Sequence, residues 1–307
     1  MISEADFVRT LGLTRVLDME CKTLNIEVSN TNRPGMQFAN YWDFFPYERP
    51  QLLGKVEMTY LSQLDELTRR ERLAKYFNYP VPCIIICRGY PCFDEMLVLA
   101  MARKVPIYST KKETTQFELE LIAFLRDRLA PRETRHGVLV NVFGAGLLIT
   151  GNSGVGKSEA ALELVKRGHQ LVADDVVDIR RVEDNRLIGE APELVRHFME
   201  IRGIGIIDVS TMYGAGAILP SKHIDLVVHL ELWQADKEYD RLGMTDNTTD
   251  ILGVPVPSLL LPIHPGRNIA VVLEVAARNL RLKQMGYNAA NELTRRHMER
   301  FQHSLED

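Results

Sequence analysis

A glycine-rich stretch follows directly on an apolar, strand-like run at residues 146–150 and has the composition of a loop that binds phosphate. In order, its residues are Gly151, Asn152, Ser153, Gly154, Val155, Gly156, Lys157 and Ser158. Glycines allow successive backbone N–H groups to point at phosphate oxygens without interference from a Cβ atom. A helix-forming stretch, residues 159–167, comes next, and its N-terminus would add positive charge beneath the anion. The pattern is a Walker A loop in its strand–loop–helix context, and it predicts nucleotide binding.

Four side chains in and after this loop could carry out phosphoryl transfer. Lys157 is expected to reach the β- and γ-phosphates, and the Ser158 hydroxyl to ligate Mg²⁺. The next candidate strand, residues 169–173, is expected to neighbour the loop strand and ends in Asp174 and Asp175. One carboxylate can assist the metal while the other accepts a proton from an attacking hydroxyl. Aspartates are also common in turns and helix caps, but the end of the first strand after the loop favours a catalytic role.

The elements that must position these residues divide the chain near Pro131. The N-terminal part alternates strand-like and helix-like stretches, with strands predicted at residues 24–28 and 82–87 and a helix at 60–76. A second helix, residues 113–129, ends just before Pro131, which is a plausible break. From residue 136 onward, short apolar strands are separated by glycine-rich turns. We therefore predict an α/β fold with an N-terminal α/β domain, residues 1–131, and a P-loop catalytic domain, residues 132–307.

The composition narrows the compartment and the partners. The 307 residues are 46% hydrophobic and 25% charged, as in ordinary globular proteins. A net charge of −4 and a pI near 6.1 give no electrostatic case for nucleic acid or an anionic membrane as partner. No apolar run approaches the roughly 20 residues needed to cross a bilayer, and no signal peptide is recognisable. The cysteines are expected to be reduced thiols rather than metal ligands, and the protein to be cytoplasmic. They are Cys21, Cys83, Cys87 and Cys92.

Beyond the phosphate loop, the chain from His136 to about Arg267 resembles the HPr kinase/phosphorylase family of bacterial regulators of carbon metabolism. The matching blocks are RHGVLV at 135–140, GVGKSE at 154–159, LVADD at 171–175, MEIRGIGIID at 199–208, YDRLG at 239–243 and PIHPGRN at 262–268. Six blocks in the same order make a chance resemblance very improbable. The N-terminal domain has a fitting length and α/β texture, but its match is weaker.

The resemblance implies a bifunctional enzyme. Members of the family phosphorylate a seryl hydroxyl on the small phosphocarrier protein HPr, with ATP or pyrophosphate as donor. They also remove that phosphate by phosphorolysis, in which inorganic phosphate is the acceptor and pyrophosphate the product. The family's catalytic domain resembles the nucleotide-binding core of phosphoenolpyruvate carboxykinase, and the enzymes are usually hexamers.

The resemblance also implies a role for individual residues. Asp175 would be the general base of the forward reaction and the proton donor of the reverse one, and Lys157 would stabilise the transferring phosphoryl group. Ser158 and Glu200 would hold Mg²⁺. The remaining candidates are His136 near the phosphates, Arg241 near the protein substrate, and, with less weight, Asp174, Arg202, His264 and Arg267. Residues 199–208 would serve both reactions and residues 262–267 mainly dephosphorylation.

The chain departs from the family pattern at two positions. Asn152 stands where an aspartate is usual, which removes a negative charge beside the phosphates. His264 stands where the family normally has arginine, so an imidazole replaces a permanent guanidinium. Because the second change would weaken binding of inorganic phosphate, we predict that phosphorolysis is reduced relative to kinase activity.

Two other functions share the same phosphate loop. A kinase that acts on a small-molecule hydroxyl would differ only in its acceptor pocket. A regulatory protein that binds nucleotide without phosphoryl transfer would not need a base such as Asp175. Without the family, His136 would be interpreted as a surface or capping histidine, Glu200 as a solvated side chain, and Arg241 as part of a surface ion pair. The C-terminal residues 291–307 have an amphipathic helical pattern that is typical of packing rather than chemistry.

Overall fold

The computed structural model describes residues 2–19, 21–182, 185–239, 247–264 and 266–306, with side chains described as far as residue 299. The chain divides into two compact units, Met1–Ala130 and Pro131–Asp307. Each unit contains both helices and strands, so the protein has a mixed α/β architecture.

The N-terminal unit is built on a four-stranded sheet. Its elements are β1 (Ile2–Ser3), α1 (Glu4–Leu11), β2 (Thr14–Arg15), β3 (Thr23–Leu24), α2 (Gly35–Phe38), β4 (Gln51–Leu53), α3 (Lys55–Gln63), α4 (Glu66–Tyr76), β5 (Ile84–Ile86), α5 (Asp94–Arg103), β6 (Ile107–Ser109) and α6 (Thr114–Leu129). The strand order is β2-β6-β5-β4, in which β4, β5 and β6 are parallel and β2 is antiparallel to β6. Successive strand residues such as Ile84 and Ile85 enter separate hydrophobic clusters, so both faces of the sheet are covered. All four cysteines are free thiols, and burial raises the pKa of Cys87 to about 11.

Two predictions for this unit were wrong. The single helix expected at residues 60–76 is two helices, α3 and α4, because Asp65 caps the second one. The backbone N–H of Thr68 donates to Asp65 Oδ1 at 2.9 Å, which satisfies a free donor at the start of α4. The strand expected at residues 24–28 is only the two-residue β3, although Ile26 beyond it is fully buried. At this position an apolar residue is buried although it does not belong to a strand.

The C-terminal unit contains two larger sheets and a hairpin. Its elements are β7 (Arg132–His136), β8 (Val138–Val142), β9 (Ala145–Gly151), α7 (Lys157–Lys166), β10 (Gln170–Ala173), β11 (Val176–Val182), β12 (Arg186–Glu190), a 3-10 helix (Glu193–Val195), β13 (Phe198–Ile201), β14 (Gly205–Asp208), α8 (Val209–Tyr213), a 3-10 helix (Ala215–Ala217), β15 (Ser221–His223), β16 (Leu226–Leu232), β17 (Thr248–Ile251), β18 (Val254–Ile263), α9 (Ile269–Gln284) and α10 (Ala289–Glu306). The last helix covers most of the residues predicted to form an amphipathic helix.

A six-stranded sheet of order β10-β8-β9-β16-β18-β17 forms the centre of this unit. Along β9, Leu147 and Ile149 pack with α7 and α9, whereas Leu148 lies in the cluster shared with the four-stranded sheet β15-β12-β11-β7. The strand is thus buried on both faces, which explains its continuous apolar sequence. Strands β9, β16 and β18 are parallel, with Gly151 opposite Leu230 and Leu230 opposite Leu261. Their carboxyl ends therefore meet at one edge of the sheet.

The sequence led us to expect the strand that precedes the two aspartates beside the loop strand. This expectation was wrong. Strand β8 lies between β10 and β9 and is antiparallel to both. Because two reversals restore the direction, β10 runs the same way as β9. Asp174 and Asp175 consequently follow β10 at the same sheet edge as the glycine-rich loop.

Candidate active site

The glycine-rich loop joins the end of β9 to the start of α7. At Gly151 the backbone φ is +141°, and a Cβ atom there would lie 2.4 Å from the carbonyl oxygen of Leu230 on the neighbouring strand. At Gly154 φ is +83°, and a Cβ atom would lie 2.5 Å from Arg202 Nη1. The loop therefore requires glycine at Gly151 both for its conformation and for its close approach to a neighbouring backbone.

Gly151→Ala is expected to destabilise the protein and to weaken nucleotide binding, whereas Gly168→Ala should have a smaller effect. Gly168 also has a positive φ, +92°, but no atom lies within 4 Å of its Cβ position. The control should cost about 1–2 kcal/mol, the strain of a left-handed alanine. Gly151→Ala adds about 1–3 kcal/mol for the clash with Leu230. Urea unfolding of both variants checks the difference, and equal losses would contradict the role of the Leu230 contact.

Two cationic side chains contact the loop. Lys157 Nζ donates to the carbonyl oxygens of Gly151 and Asn152 at 3.0 and 3.2 Å. Arg202, in the turn between β13 and β14, donates from Nη2 to Ser153 Oγ at 2.9 Å. The structure thus brings Lys157 and Arg202, which are 45 residues apart, to the same loop.

Asp174 joins three elements of the site. It is only 6% exposed, and its Oδ1 accepts the Ser158 hydroxyl of α7 at 2.9 Å. Its Oδ2 accepts the backbone N–H of Glu200, on β13, at 3.2 Å. Burial raises the pKa of Asp174 above its ordinary value of 3.8, although the two hydrogen bonds act against that shift. Asp174 carried less weight than Asp175 in the family resemblance, and its link to Glu200 depends on a strand far along the chain.

The raised pKa of Asp174 predicts a specific dependence of stability on pH. Between 3.8 and the raised value, the folded protein holds a proton that the unfolded chain has lost. The free energy of unfolding of the metal-free wild type should therefore fall, relative to Asp174→Asn, as pH rises through that interval. Urea unfolding at a series of pH values measures this difference.

Asp225→Asn gives a control of opposite sign. Burial raises the pKa of Asp225, but hydrogen bonds from His223 and from the N–H of Gly146 outweigh it and lower the pKa below 3.8. Wild type should there gain stability relative to the variant as pH rises through the lowered pKa toward 3.8. The account of Asp174 fails if its substitution shows the same sign as that of Asp225.

Asp175 and His136 are neighbouring, solvent-exposed side chains. Their side chains are 76% and 86% exposed, and Asp175 Oδ1 is 3.9 Å from His136 Nδ1. His136 ends β7 opposite Val176 of β11, and the N–H of Gly137 donates to the Asp175 carbonyl at 3.0 Å. Asp175 has a φ of +65°, a left-handed conformation that aspartate and asparagine tolerate better than most residues. This geometry turns the Asp175 side chain outward while its neighbour Asp174 stays buried.

The residues around Asp174 have the chemistry of a magnesium site. The Ser158 hydroxyl and the Asp174 carboxylate are hydrogen-bonded to each other, and Glu200 is exposed on the adjoining strand. Such hard oxygen donors suit Mg²⁺, which commonly takes only one or two protein ligands together with water and substrate phosphates. Within the described part of the chain, no group of three or more histidine, cysteine, aspartate or glutamate side chains is placed to hold a metal. In a site of this kind, phosphate oxygens and water would complete the coordination.

The other predicted residues lie further along the sheet edge or outside the described residues. His264 follows β18, and its ring lies against Trp233, with 4.8 Å between the ring centroids. Arg267 Nη1 donates to the carbonyl of Pro262 at 3.1 Å. Among the described residues, hydrogen bonds join neither side chain to the phosphate loop. Arg241 belongs to residues 240–246, which lie outside the described part of the chain.

Sequence reasoning missed two features of this edge. His229, on β16, has Nδ1 3.1 Å from the hydroxyl of Thr150, the residue before the loop. Trp233, just after β16, is 44% exposed. Neither residue belongs to a local motif. The parallel pairing of β9, β16 and β18 brings His229 beside Thr150 and places Trp233 on the same edge of the sheet.

The glycine-rich loop joins a central strand to a helix, and the buried Asp174 accepts a hydrogen bond from Ser158 in the first turn of that helix. These features define a mixed α/β protein with a phosphate-binding site. Comparison with known proteins specifies it further. The family model described as HPr Serine kinase C-terminal domain matches residues 127–297, and the one described as HPr Serine kinase N terminus matches residues 3–125. The chain belongs to the HPr kinase/phosphorylase family.

Two relatives have sequences that align with most of the chain. The HPr kinase/phosphorylase of Caldanaerobacter subterraneus is 49% identical over 295 residues, which are 96% of this chain and 97% of the relative. That of Bacillus subtilis is 48% identical over 269 residues, 88% of this chain and 87% of the relative. A solved structure of the HPr(Ser) kinase/phosphatase from Coxiella burnetii is 39% identical, covers 52% of this chain and 98% of its own, and has a TM-score of 0.47. Within the described residues, no helix is both long and apolar enough to span a bilayer.

Proposed function

We propose that this protein phosphorylates a serine of the phosphocarrier protein HPr, with ATP or pyrophosphate as donor, and removes that phosphate by phosphorolysis. Membership of the HPr kinase/phosphorylase family supports both activities. The observation that carries the proposal is the pairing of two successive aspartates with opposite environments beside the phosphate loop. Asp174 is buried and accepts a hydrogen bond from Ser158, while Asp175 is exposed and accessible to an incoming hydroxyl.

In this proposal Asp175 carries the proton in both directions. In the forward reaction its carboxylate takes the proton from the seryl hydroxyl while the oxygen attacks the terminal phosphorus of the donor. In the reverse reaction the protonated carboxyl returns the proton to the seryl oxygen as inorganic phosphate attacks. The exposure of Asp175 suits an acceptor that arrives on the surface of another protein. His136, 3.9 Å away, would interact with the same carboxyl group or the phosphates.

The loop and its two cations would hold the phosphates. Backbone N–H groups at the start of α7 recognise phosphate oxygens rather than the nucleoside, which explains why pyrophosphate could replace ATP. Lys157 would move from the loop carbonyls to the transferring phosphoryl group, and Arg202 from Ser153 to a neighbouring oxygen. Mg²⁺, held by Ser158 and Glu200, would neutralise phosphate charge. Arg241 would contact the protein substrate.

The family resemblance extends the proposal to fold and assembly. We propose that the unit from Pro131 onward is the catalytic domain and shares its nucleotide-binding core with phosphoenolpyruvate carboxykinase. We propose also that the protein forms a homo-oligomer, and specifically a hexamer. Sedimentation velocity of the full chain tests the assembly.

The decisive experiment incubates the purified protein with HPr, Mg²⁺ and ATP and follows the seryl phosphate by mass spectrometry. Excess inorganic phosphate is then added. Phosphorylation followed by loss of the phosphate and release of pyrophosphate is expected. Phosphorylation without reversal would mean that the protein has kinase activity but no phosphorolysis activity. ATP binding without any phosphorylation of HPr would contradict the assignment, and would favour a different acceptor or a nucleotide-dependent regulator.

His264→Arg is expected to raise the rate of phosphorolysis several-fold and to leave the kinase rate nearly unchanged. A guanidinium is charged at all relevant pH values and binds phosphate bidentately, which an imidazole does not. It can also stack on Trp233, so the local packing should be kept. Initial rates in both directions, at limiting inorganic phosphate, measure the effect. An unchanged phosphorolysis rate would show that the histidine at this position does not limit the reaction.

A further inference from the structure

We propose that Trp233, with His264 behind it, forms a stacking platform for the purine base of the nucleotide donor. The inference rests on the proposed function, because it assumes that ATP occupies the phosphate loop. It begins from the exposure of the indole, which is 44% accessible although it directly follows a strand whose core residues are buried. Its indole N–H makes no hydrogen bond within the described residues, so that edge of the ring has no protein partner there.

The backbone fixes the position of this indole. The N–H of Trp233 donates to the carbonyl of Ile263 at 3.0 Å, which extends the parallel pairing of β16 and β18 by one bond. The same pairing places His264 beside it, with the two rings 4.8 Å apart and inclined by 30°. An aromatic side chain held in this way loses little freedom when a planar ligand stacks on it.

The platform lies on the same edge of the sheet as the phosphate loop. Leu230 pairs with Gly151, and Trp233 is three residues further on, about 10 Å beyond that pair at ~3.3 Å per residue. The chain that leaves His264 returns to the loop at Ile269, whose Cδ1 lies 3.6 Å from the Cβ position of Gly156. In open parallel sheets, ligands bind in the crevice outside the carboxyl ends of the strands. The loop and the indole thus lie along one edge of the sheet.

A purine base is the ligand class that best fits these features. The phosphates of ATP must lie on the loop, so the nucleoside has to extend along the edge or into solvent. A flat apolar face at that edge offers the base stacking without demanding a particular pattern of hydrogen bonds. Pyrophosphate has no base and would leave the indole untouched. The two donors therefore separate the platform from the phosphate site.

The test measures binding of Mg·ATP and Mg·pyrophosphate to the full chain by calorimetry, in wild type, Trp233→Ala and Trp233→Phe. Removal of one stacking partner should raise the Kd of ATP about 5- to 100-fold, with pyrophosphate changed by less than about twofold. Phenylalanine should restore most of the ATP affinity, which a purely structural role of the indole nitrogen or volume would not predict. Trp42→Phe, the matched change at the other tryptophan, should alter neither Kd.

Three results for Trp233→Ala would overturn the proposal. The first is an equal rise in the Kd of ATP and of pyrophosphate, and the second is no change in either Kd. The third is a rise confined to the KM for HPr, which would assign the indole to protein docking. Failure of the proposed function is a separate observation. Wild type that binds both donors but does not phosphorylate HPr would refute the HPr assignment while the ATP-to-pyrophosphate comparison still decides the platform. Wild type that binds neither donor would refute both.

Discussion

Asp175→Asn is expected to lower the rate of phosphoryl transfer to and from HPr by about 10²- to 10⁴-fold, while ATP binds nearly as tightly as before. An amide cannot accept the seryl proton, and the loss should apply to both directions because one carboxyl group serves both in the proposed mechanism. Asparagine is the informative replacement, because the backbone φ of +65° suits asparagine as well as aspartate. Alanine at the same position would add conformational strain to the loss of the base.

Single-turnover rates in each direction, with calorimetry for ATP, measure the effect. Asp178→Asn is the matched control, since Asp178 lies three residues along on β11 and its carboxylate accepts the Thr134 hydroxyl at 2.7 Å. It should retain near wild-type rates. If Asp175→Asn keeps more than about a tenth of the wild-type rate, another group is the base, since general bases contribute at least ~10²-fold.

Lys157→Met should lower kcat by about 10²- to 10³-fold, with a smaller effect on the Kd of ATP. The substitution keeps an unbranched side chain but removes the charge that would stabilise the transferring phosphoryl group. In the structure this ammonium group donates to the carbonyl oxygens of Gly151, which is half-buried, and Asn152, which is exposed, so water can reach this part of the loop. The fold should therefore tolerate the change.

Steady-state kinetics with ATP and with pyrophosphate give the comparison, since both proposed donors would need the same cation. Lys166→Met, at the exposed C-terminal end of the same helix, controls for loss of a positive charge from α7. A variant at Lys157 that loses ATP affinity in proportion to kcat would indicate that the lysine binds substrate and transition state equally.

The phosphate loop could be predicted because all its determinants are local. Strand, glycines, lysine and helix follow one another within about twenty residues, and each has its own sequence signal. The two aspartates were recognised by the same means. Their division into a buried and an exposed side chain was not, because it depends on the left-handed φ of Asp175 and on contacts with β13.

Other parts of the fold depend on pairing between distant segments. The insertion of β8 between β10 and β9 leaves no trace in a local pattern, since a hairpin and a crossover use similar apolar strands. The division of α3 from α4 did have a signal in Asp65, but the apolar spacing continues across it and favoured a single helix. Trp233 became a candidate only when the register of β16 and β18 placed it beside His264.

The contacts that Lys157 and Arg202 make within the loop have a consequence for selectivity among anions. Any anion that enters must draw the ammonium group away from two carbonyl oxygens and the guanidinium away from a hydroxyl. Chloride offers a single weak acceptor in exchange and gains little by entering. A polyphosphate presents many oxygens at once and can replace every bond that it breaks. Under the proposed function, the loop would therefore favour ATP or pyrophosphate over simple salt anions.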